Sequence, residues 1–261
     1  EGALRPLIDV LKFPDVRMQH CAALAVNAIA LGPQADTKVG VARDDGLDPL
    51  LALVGNACRD RDCRFAAVYA LGSLSENPSV KAQLVDRGAI PVVVRAVEEG
   101  GGDVELKRAA TYLFARFAEN VEFHKSMLEH ACVESLISLA SFEDVECQEV
   151  SAFALAHLAS NRDLQVPLVD KGALKPLVTM MAVQSSPRHY AGLALLKLAD
   201  NFANHCAIAR EGGIQALLRL GRERNTDAEL QYKAALTVGP LASNAANMTT
   251  TRSGHNGIGT G

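Results

Sequence analysis

Tryptophan is absent from this chain of 261 residues, and aromatic residues make up only 5% of it. A packed interior must therefore be aliphatic, and the 49% hydrophobic content is ample for one, with Ala and Leu, good helix formers, prominent. Positive charge is not in excess: 26 Lys and Arg stand against 30 Asp and Glu, a net charge of −4. That balance argues against sequence-independent nucleic-acid binding. No apolar run reaches the ~20 residues needed to cross a bilayer, because every long run carries charge. The residues from Glu1 onward do not read as a secretory signal.

Short-spaced cysteine pairs are also missing. Cys21, Cys58, Cys63, Cys132, Cys147 and Cys206 are spread along the chain without a CxxC, which fits neither a zinc site nor a disulfide scaffold. Buried thiols in a reducing cytosol are the expectation. There is no GxSxG, HExxH or GxxxxGK[ST] pattern, and glycines 100–102 join two helical patterns, not a strand to a helix. His124 and His130 lie six residues apart, the wrong interval for one helix face to present a metal. The Asn247 sequon has no secretory context. The expectation is a non-enzymatic chain with no cofactor and no metal.

What the chain does contain is a segment that returns six times. GALRPLIDVL from Gly2, GLDPLLALV from Gly46, GAIPVVVRAV from Gly88, ACVESLISLA from Ala131, GALKPLVTMM from Gly172 and GGIQALLRL from Gly212 start 40 to 44 residues apart. A period near ~40–47 residues marks all-helical solenoids. A repeat array adds units where a compact core stops growing, so the chain reads as one elongated domain over 1–243.

The best-formed unit runs from 77 to 120. A short helix begins at Pro78, Gly88 turns the corner, AIPVVVRAVEE from Ala89 to Glu99 makes a second helix, and DVELKRAATYLFARFAEN a long amphipathic third. Acidic residues at its start suit the helix dipole. Other third helices start at Pro14 with Asp15, at Glu143 with Asp144, and at Ser186 as a cap before Pro187. Repeats are placed at about 1–32, 33–76, 77–120, 121–160, 161–200 and 201–243, the first without its leading helix. Pro240 is expected to end the last helix early. Residues 244–261, NAANMTTTRSGHNGIGTG, read as a polar flexible tail, the alternative being that Ile258 and its neighbours dock on a solenoid surface.

Over roughly 1–243 the sequence resembles the armadillo-repeat family. The third-helix pattern small-small-Trp-Ala-Leu-x-Asn-Ile-Ala is matched by AALAVNAIA from Ala22, AVYALGSLS from Ala67, ATYLFARFA from Ala110, SAFALAHLA from Ser151, AGLALLKLA from Ala191 and AALTVGPLA from Ala234. The resemblance implies an all-α, right-handed superhelical solenoid of about six three-helix repeats. It also implies that third helices line a concave groove with positions i, i+4 and i+8.

Those positions are His20, Leu24, Ala28; Phe65, Tyr69, Ser73; Arg108, Tyr112, Arg116; Glu149, Phe153, His157; His189, Leu193, Lys197; and Tyr232, Leu236, Pro240. Nuclear-import adaptors carry Trp at the middle position and Asn at the last, and no copy here has either, so that role is disfavoured. Arg116, His157 and Lys197 instead form a cationic end to three successive triplets. The groove is expected to bind an acidic or phosphorylated extended segment of a protein partner through Tyr69, Ser73, Arg108, Tyr112, Arg116, Phe153, His157, His189, Leu193, Lys197 and Tyr232. The blander reading lays the long side chains over apolar surface with solvated heads and puts the aromatics in the inter-repeat core.

NAIALGP at 27–33 and VDKGALKPLV at 169–178 resemble the armadillo-repeats-only proteins of apicomplexans. That resemblance implies a cytoplasmic tether, held to the cytosolic face of rhoptry organelles by a lipid anchor upstream of Glu1. Its partners would be a myosin motor and an adaptor, for organelle positioning. More residues are expected upstream. A substrate-recognition domain of a ubiquitin ligase and a structural protein of the axoneme remain alternatives. A monomer is the default expectation.

Overall fold

Asp15, Asp60, Asp103 and Asp144 each stand three residues before a backbone amide that needs a partner, and each supplies it. Their carboxylates accept from the amides of Met18 at 3.0 Å, Cys63 at 2.9 Å, Leu106 at 3.2 Å and Cys147 at 2.9 Å. One such cap stabilises a helix by about 1 kcal/mol, so four of the third helices have their first residue set locally. The computed structural model describes residues 4–32, 35–55, 60–183, 186–222 and 228–243, and among these every regular element is helical. The flexible-tail reading of 244–261 and Cys58 lie outside the described residues.

The chain divides into two compact units, Glu1–Leu139 and Ala140–Gly261. In the first, α1 (Leu4–Leu11) and α2 (Val16–Ala30) form a two-helix repeat, followed by α3 (Ala35–Arg43), α4 (Leu47–Val54) and α5 (Arg61–Leu74). Then come α6 (Pro78–Asp86), α7 (Ala89–Glu99) and α8 (Val104–Ala118), with α9 (Val121–Glu129) and α10 (Cys132–Ala140) at the boundary. The second unit holds α11 (Val145–Ala159), α12 (Gln165–Asp170), α13 (Leu174–Ala182) and α14 (Pro187–Ala199), then α15 (His205–Arg210), α16 (Gly213–Arg222) and α17 (Ala228–Ser243). Short 3-10 turns at Arg162–Leu164 and Phe202–Asn204 lead into α12 and α15. The long helices α2, α5 and α8 pack side by side in the first unit, and α11, α14 and α17 in the second.

The repeated small residue turns the corner between short and second helices. Gly88, Gly172 and Gly212 have φ of 78°, 91° and 81°, the left-handed region that a side chain disfavours. Ala131 takes the same conformation at φ 57° in the fourth copy, while in the second copy the left-handed residue is Asp45, at φ 60°, one place before Gly46. Gly46 is needed for closeness instead, since a Cβ there would stand 2.8 Å from Val41 Cγ1.

A second repeated device lies four residues after an Asn. His124 Nε2 donates to the Ala118 carbonyl at 2.7 Å, Gln165 Nε2 to Ala159 at 3.1 Å and His205 Nε2 to Ala199 at 2.9 Å. Each satisfies a carbonyl at the C-terminal end of the preceding third helix, an end that leaves acceptors without helical partners. His124 is thus a buried structural residue.

Three expectations are corrected. Ser186 precedes Pro187 at the start of α14 but makes no side-chain capping bond. Pro240 does not end α17, which continues to Ser243. A proline near a helix terminus removes one amide, the bond to the Leu236 carbonyl, and exposure of both residues lets water replace it. Cys63, Cys132 and Cys147 are buried as expected, but Cys21 is exposed and Cys206 half-buried. Burial, reinforced by Glu134, pushes the Cys132 thiol well above its ordinary range.

Candidate functional site

In the first unit, α5 stacks Phe65 on Tyr69, ring centres 5.7 Å apart, and leaves Tyr69 exposed. Ser73, one turn on, is buried and its hydroxyl donates to Asn27 Oδ1 of α2 at 2.7 Å. It is a tie between third helices and offers nothing to a ligand. On α8, Arg108 reaches Glu105 at 3.5 Å. The half-buried Tyr112 hydroxyl donates to Glu76 Oε1 at 3.1 Å, and Arg116 pairs with Glu119 at 2.7 Å. Glu76 is also ion-paired with Lys38, and Glu119 with Lys81 at 3.0 Å.

Burial pushes the Glu76 carboxyl upward, but the bond and charge of Lys38, the Tyr112 hydroxyl and Arg116 together outweigh it and hold Glu76 below the usual range. Burial, followed by the Glu76 charge, raises Tyr112 above its ordinary value. The Arg116 guanidinium is therefore offset by carboxylates on its own unit and is not a bare cation.

Tyr112 holds its place because Gly72 has no side chain. A Cβ at Gly72 would stand 3.0 Å from Tyr112 Cδ1 and 3.3 Å from Cε1. Gly72→Ala gains up to about 1 kcal/mol in helix propensity and meets an overpacking cost of about 1–3 kcal/mol. With the ring also fixed by Glu76, a net loss of about 1 kcal/mol in urea unfolding is expected. A more stable variant would show that the ring has slack.

In the second unit four rings form a chain. Phe153 lies 4.5 Å from His157 on α11 and 5.2 Å, edge-on, from Tyr190 on α14, and His189 lies 5.3 Å from Tyr190. Phe153, His157, Tyr190 and Leu193 are half-buried, while His189 is exposed. Lys197 is exposed, with no ion-pair partner among the described residues. On α17, Tyr232 and Leu236 are 65% and 57% exposed, so they contribute apolar surface that nothing described covers.

No family model matches the sequence, and no curated protein does. Solved structures do. The crystal structure of an engineered protein is 27% identical, with 93% of this chain and 98% of that chain covered and a TM-score of 0.81. A designed armadillo repeat protein is 22% identical, with 91% of this chain and 99% of that one covered and a TM-score of 0.80. The chain has the armadillo-repeat fold. Another designed armadillo repeat protein, in complex with the peptide (KR)4, matches at 22% identity over 91% of this chain and 99% of that one, with a TM-score of 0.79.

Of the residues read from sequence as lining the groove, the chain presents Tyr69, His189, Lys197 and Tyr232 openly. It half-buries Arg108, Tyr112, Arg116, Phe153, His157 and Leu193, and it buries Ser73. Sequence reasoning missed Tyr190, which completes the ring chain from one place beside the i, i+4 register. It missed Glu76 and Glu119 too, although each stands seven residues after a groove tyrosine, Tyr69 or Tyr112, in successive repeats.

Proposed function

We propose that this armadillo-repeat protein is a non-enzymatic scaffold that binds an extended segment of a partner protein on its third-helix faces. The reading is carried by the second-unit face, where the rings of Phe153, His157, His189 and Tyr190 stand on the helix pair that also carries the uncompensated Lys197. Aromatic anchors supply most of the energy at such surfaces, and one exposed cation selects the sign of the partner. That structural neighbour's peptide, (KR)4, is basic. Here the first-unit carboxylates Glu76 and Glu119 are already engaged by Lys38 and Lys81, so an acidic or phosphorylated segment is the better fit to Lys197.

The finer reading places the scaffold in the cytoplasm as a tether on the cytosolic face of an organelle such as the rhoptry, recruiting a motor and an adaptor. It is supported by the strings at 27–33 and 169–178 alone. Localisation of the tagged full-length protein decides between this tether, a ubiquitin-ligase recognition domain and an axonemal component.

The binding test uses fluorescence polarisation with acidic, phosphorylated and basic octapeptides. The acidic or phosphorylated peptide is expected to bind best, and Lys197→Glu to weaken it about five- to tenfold by removing one exposed charge contact and adding a repulsive one. Tyr190→Ala is expected to weaken all peptides alike. A preference for the basic peptide, or indifference to Lys197→Glu, would overturn the assignment.

A further inference from the structure

Residues 171–222 carry seven Lys and Arg against two Asp and Glu, in a chain whose net charge is −4. Earlier in the same unit, residues 140–170 carry one against six. One cation of that excess, Lys197, stands on a third helix, but three stand on the second helices α13 and α16, which pack against each other.

Alignment of the two copies on Gly172 and Gly212 puts Lys175, Thr179 and Ala182 in register with Gln215, Arg219 and Arg222, and all six are exposed. Their spacing holds each triplet on one helix face. Neither helix contains an Asp or a Glu. The second helices before them each expose at least one, as Asp9, Asp48, Glu98 and Glu134. Lys175, Arg219 and Arg222 have no ion-pair partner among the described residues. The acids at the two corners, Asp170 and Glu211, each adjoin a cation of their own, Lys171 and Arg210.

We infer that the α13–α16 face is a second docking surface, separate from the third-helix groove, for a short acidic segment of a partner protein. The planar forks of Arg219 and Arg222 match carboxylates in geometry as well as charge, and Lys175 adds a point charge on the neighbouring helix. Side chains two residues apart on one side of an extended segment stand about 7 Å apart, and packed helix axes about 8–10 Å apart. An acid-x-acid sequence therefore reaches from the arginine pair to Lys175. Single-stranded nucleic acid fits less well, because α13 and α16 have no aromatic residue on which bases could stack. A membrane fits less well too: Leu218, 38% exposed, is the large apolar side chain these two helices expose, and interfacial insertion needs a broad apolar face.

The test is fluorescence polarisation with the full chain and a labelled octapeptide whose only charged residues form Glu-x-Glu. The background is Lys197→Glu, so that loss of the groove contact and loss of this one are read separately. In that background, Arg219→Glu with Arg222→Glu is expected to weaken binding about tenfold, with circular dichroism unchanged. Arg95→Glu, an exposed reversal on α7, should leave it unchanged. An octapeptide with its two glutamates at opposite ends should bind no tighter than one with a single glutamate. If Lys197→Glu alters nothing in the wild type while the double variant does, the groove reading fails and this surface stands. Equal losses for Arg95→Glu and the double variant would reduce the effect to bulk charge and overturn the inference. So would a Lys197→Glu background that does not bind the peptide, or one indifferent to the double variant. Phosphatidylserine vesicles or labelled oligothymidine held more tightly than the peptide, and released by the double variant, would reassign the face to a lipid surface or a nucleic acid.

Discussion

Phe117→Ala is expected to cost about 3–5 kcal/mol of unfolding free energy, a large share of the ~5–15 kcal/mol that holds a typical domain together. The side chain is fully buried at the end of α8, and its ring meets Phe123 of α9 edge-on, 6.4 Å between centres at 80°. Truncation removes the ring's transfer energy, leaves a cavity between two helices that the corner at Asn120 holds in place, and forfeits the edge-to-face contact, itself about 0.5–1.5 kcal/mol. Urea unfolding should show the midpoint fall, and hydrogen exchange should show protection lost in α8 and α9. Phe117→Leu should cost far less because most of the volume stays. Phe202→Ala is the control: that ring is 74% exposed, and removing it should change stability by less than about 0.5 kcal/mol. Equal losses for Phe117→Ala and Phe117→Leu would mean that the helices close the cavity.

The fold was legible because its determinants are local and recur. The corner glycines at 88, 172 and 212, the aspartate caps at 15 and 144 and the second helix over Ala89–Glu99 follow from a few residues each, with the same few residues in neighbouring copies. Ser186 and Pro240 were misread because each was judged by residue type alone, while the helices around them are held by packing. The site was legible only as far as helical spacing reaches. That spacing puts Tyr69 and Tyr112 on one kind of face, but it cannot tell that Glu76, 36 residues before Tyr112, meets its hydroxyl. Nor can it tell that Ser73 turns to Asn27. Those pairings depend on how adjacent third helices lie against each other, which turns Arg116 from a bare cation into one arm of a charge network. The Asn-x-x-x-donor spacing behind His124, Gln165 and His205 was written in the sequence and could have been found by aligning the copies on Asn77, Asn120, Asn161 and Asn201.

Lys81 occupies that same donor position, four residues after Asn77, and uses it differently. Its side chain is only 6% exposed, and Nζ reaches forward to Glu119 Oε2 at 3.0 Å and Asn120 Oδ1 at 2.8 Å, joining α6 to the end of α8. Lys81→Ala is expected to cost about 2–4 kcal/mol, below the full penalty for breaking a buried ion pair because Glu119 is a quarter exposed and keeps Arg116. Lys81→Met separates stem from charge: it retains the packed methylenes, and its loss measures the ammonium alone. Lys81→Gln distinguishes position from charge. In the fifth repeat Gln165 spans six residues back to the Ala159 carbonyl, and the same step from position 81 ends at the buried Ser75. A glutamine that recovers at least half of the alanine loss in urea unfolding would show that the position itself selects a donor aimed at the preceding helix. If Lys81→Gln is no better than Lys81→Ala while Lys81→Met is nearly silent, the forward ion pair contributes little and the packed stem holds the corner. If Lys81→Met is as damaging as Lys81→Ala, the charge carries the link, and Glu119, released from it, is left to Arg116 on the face where a partner segment would lie.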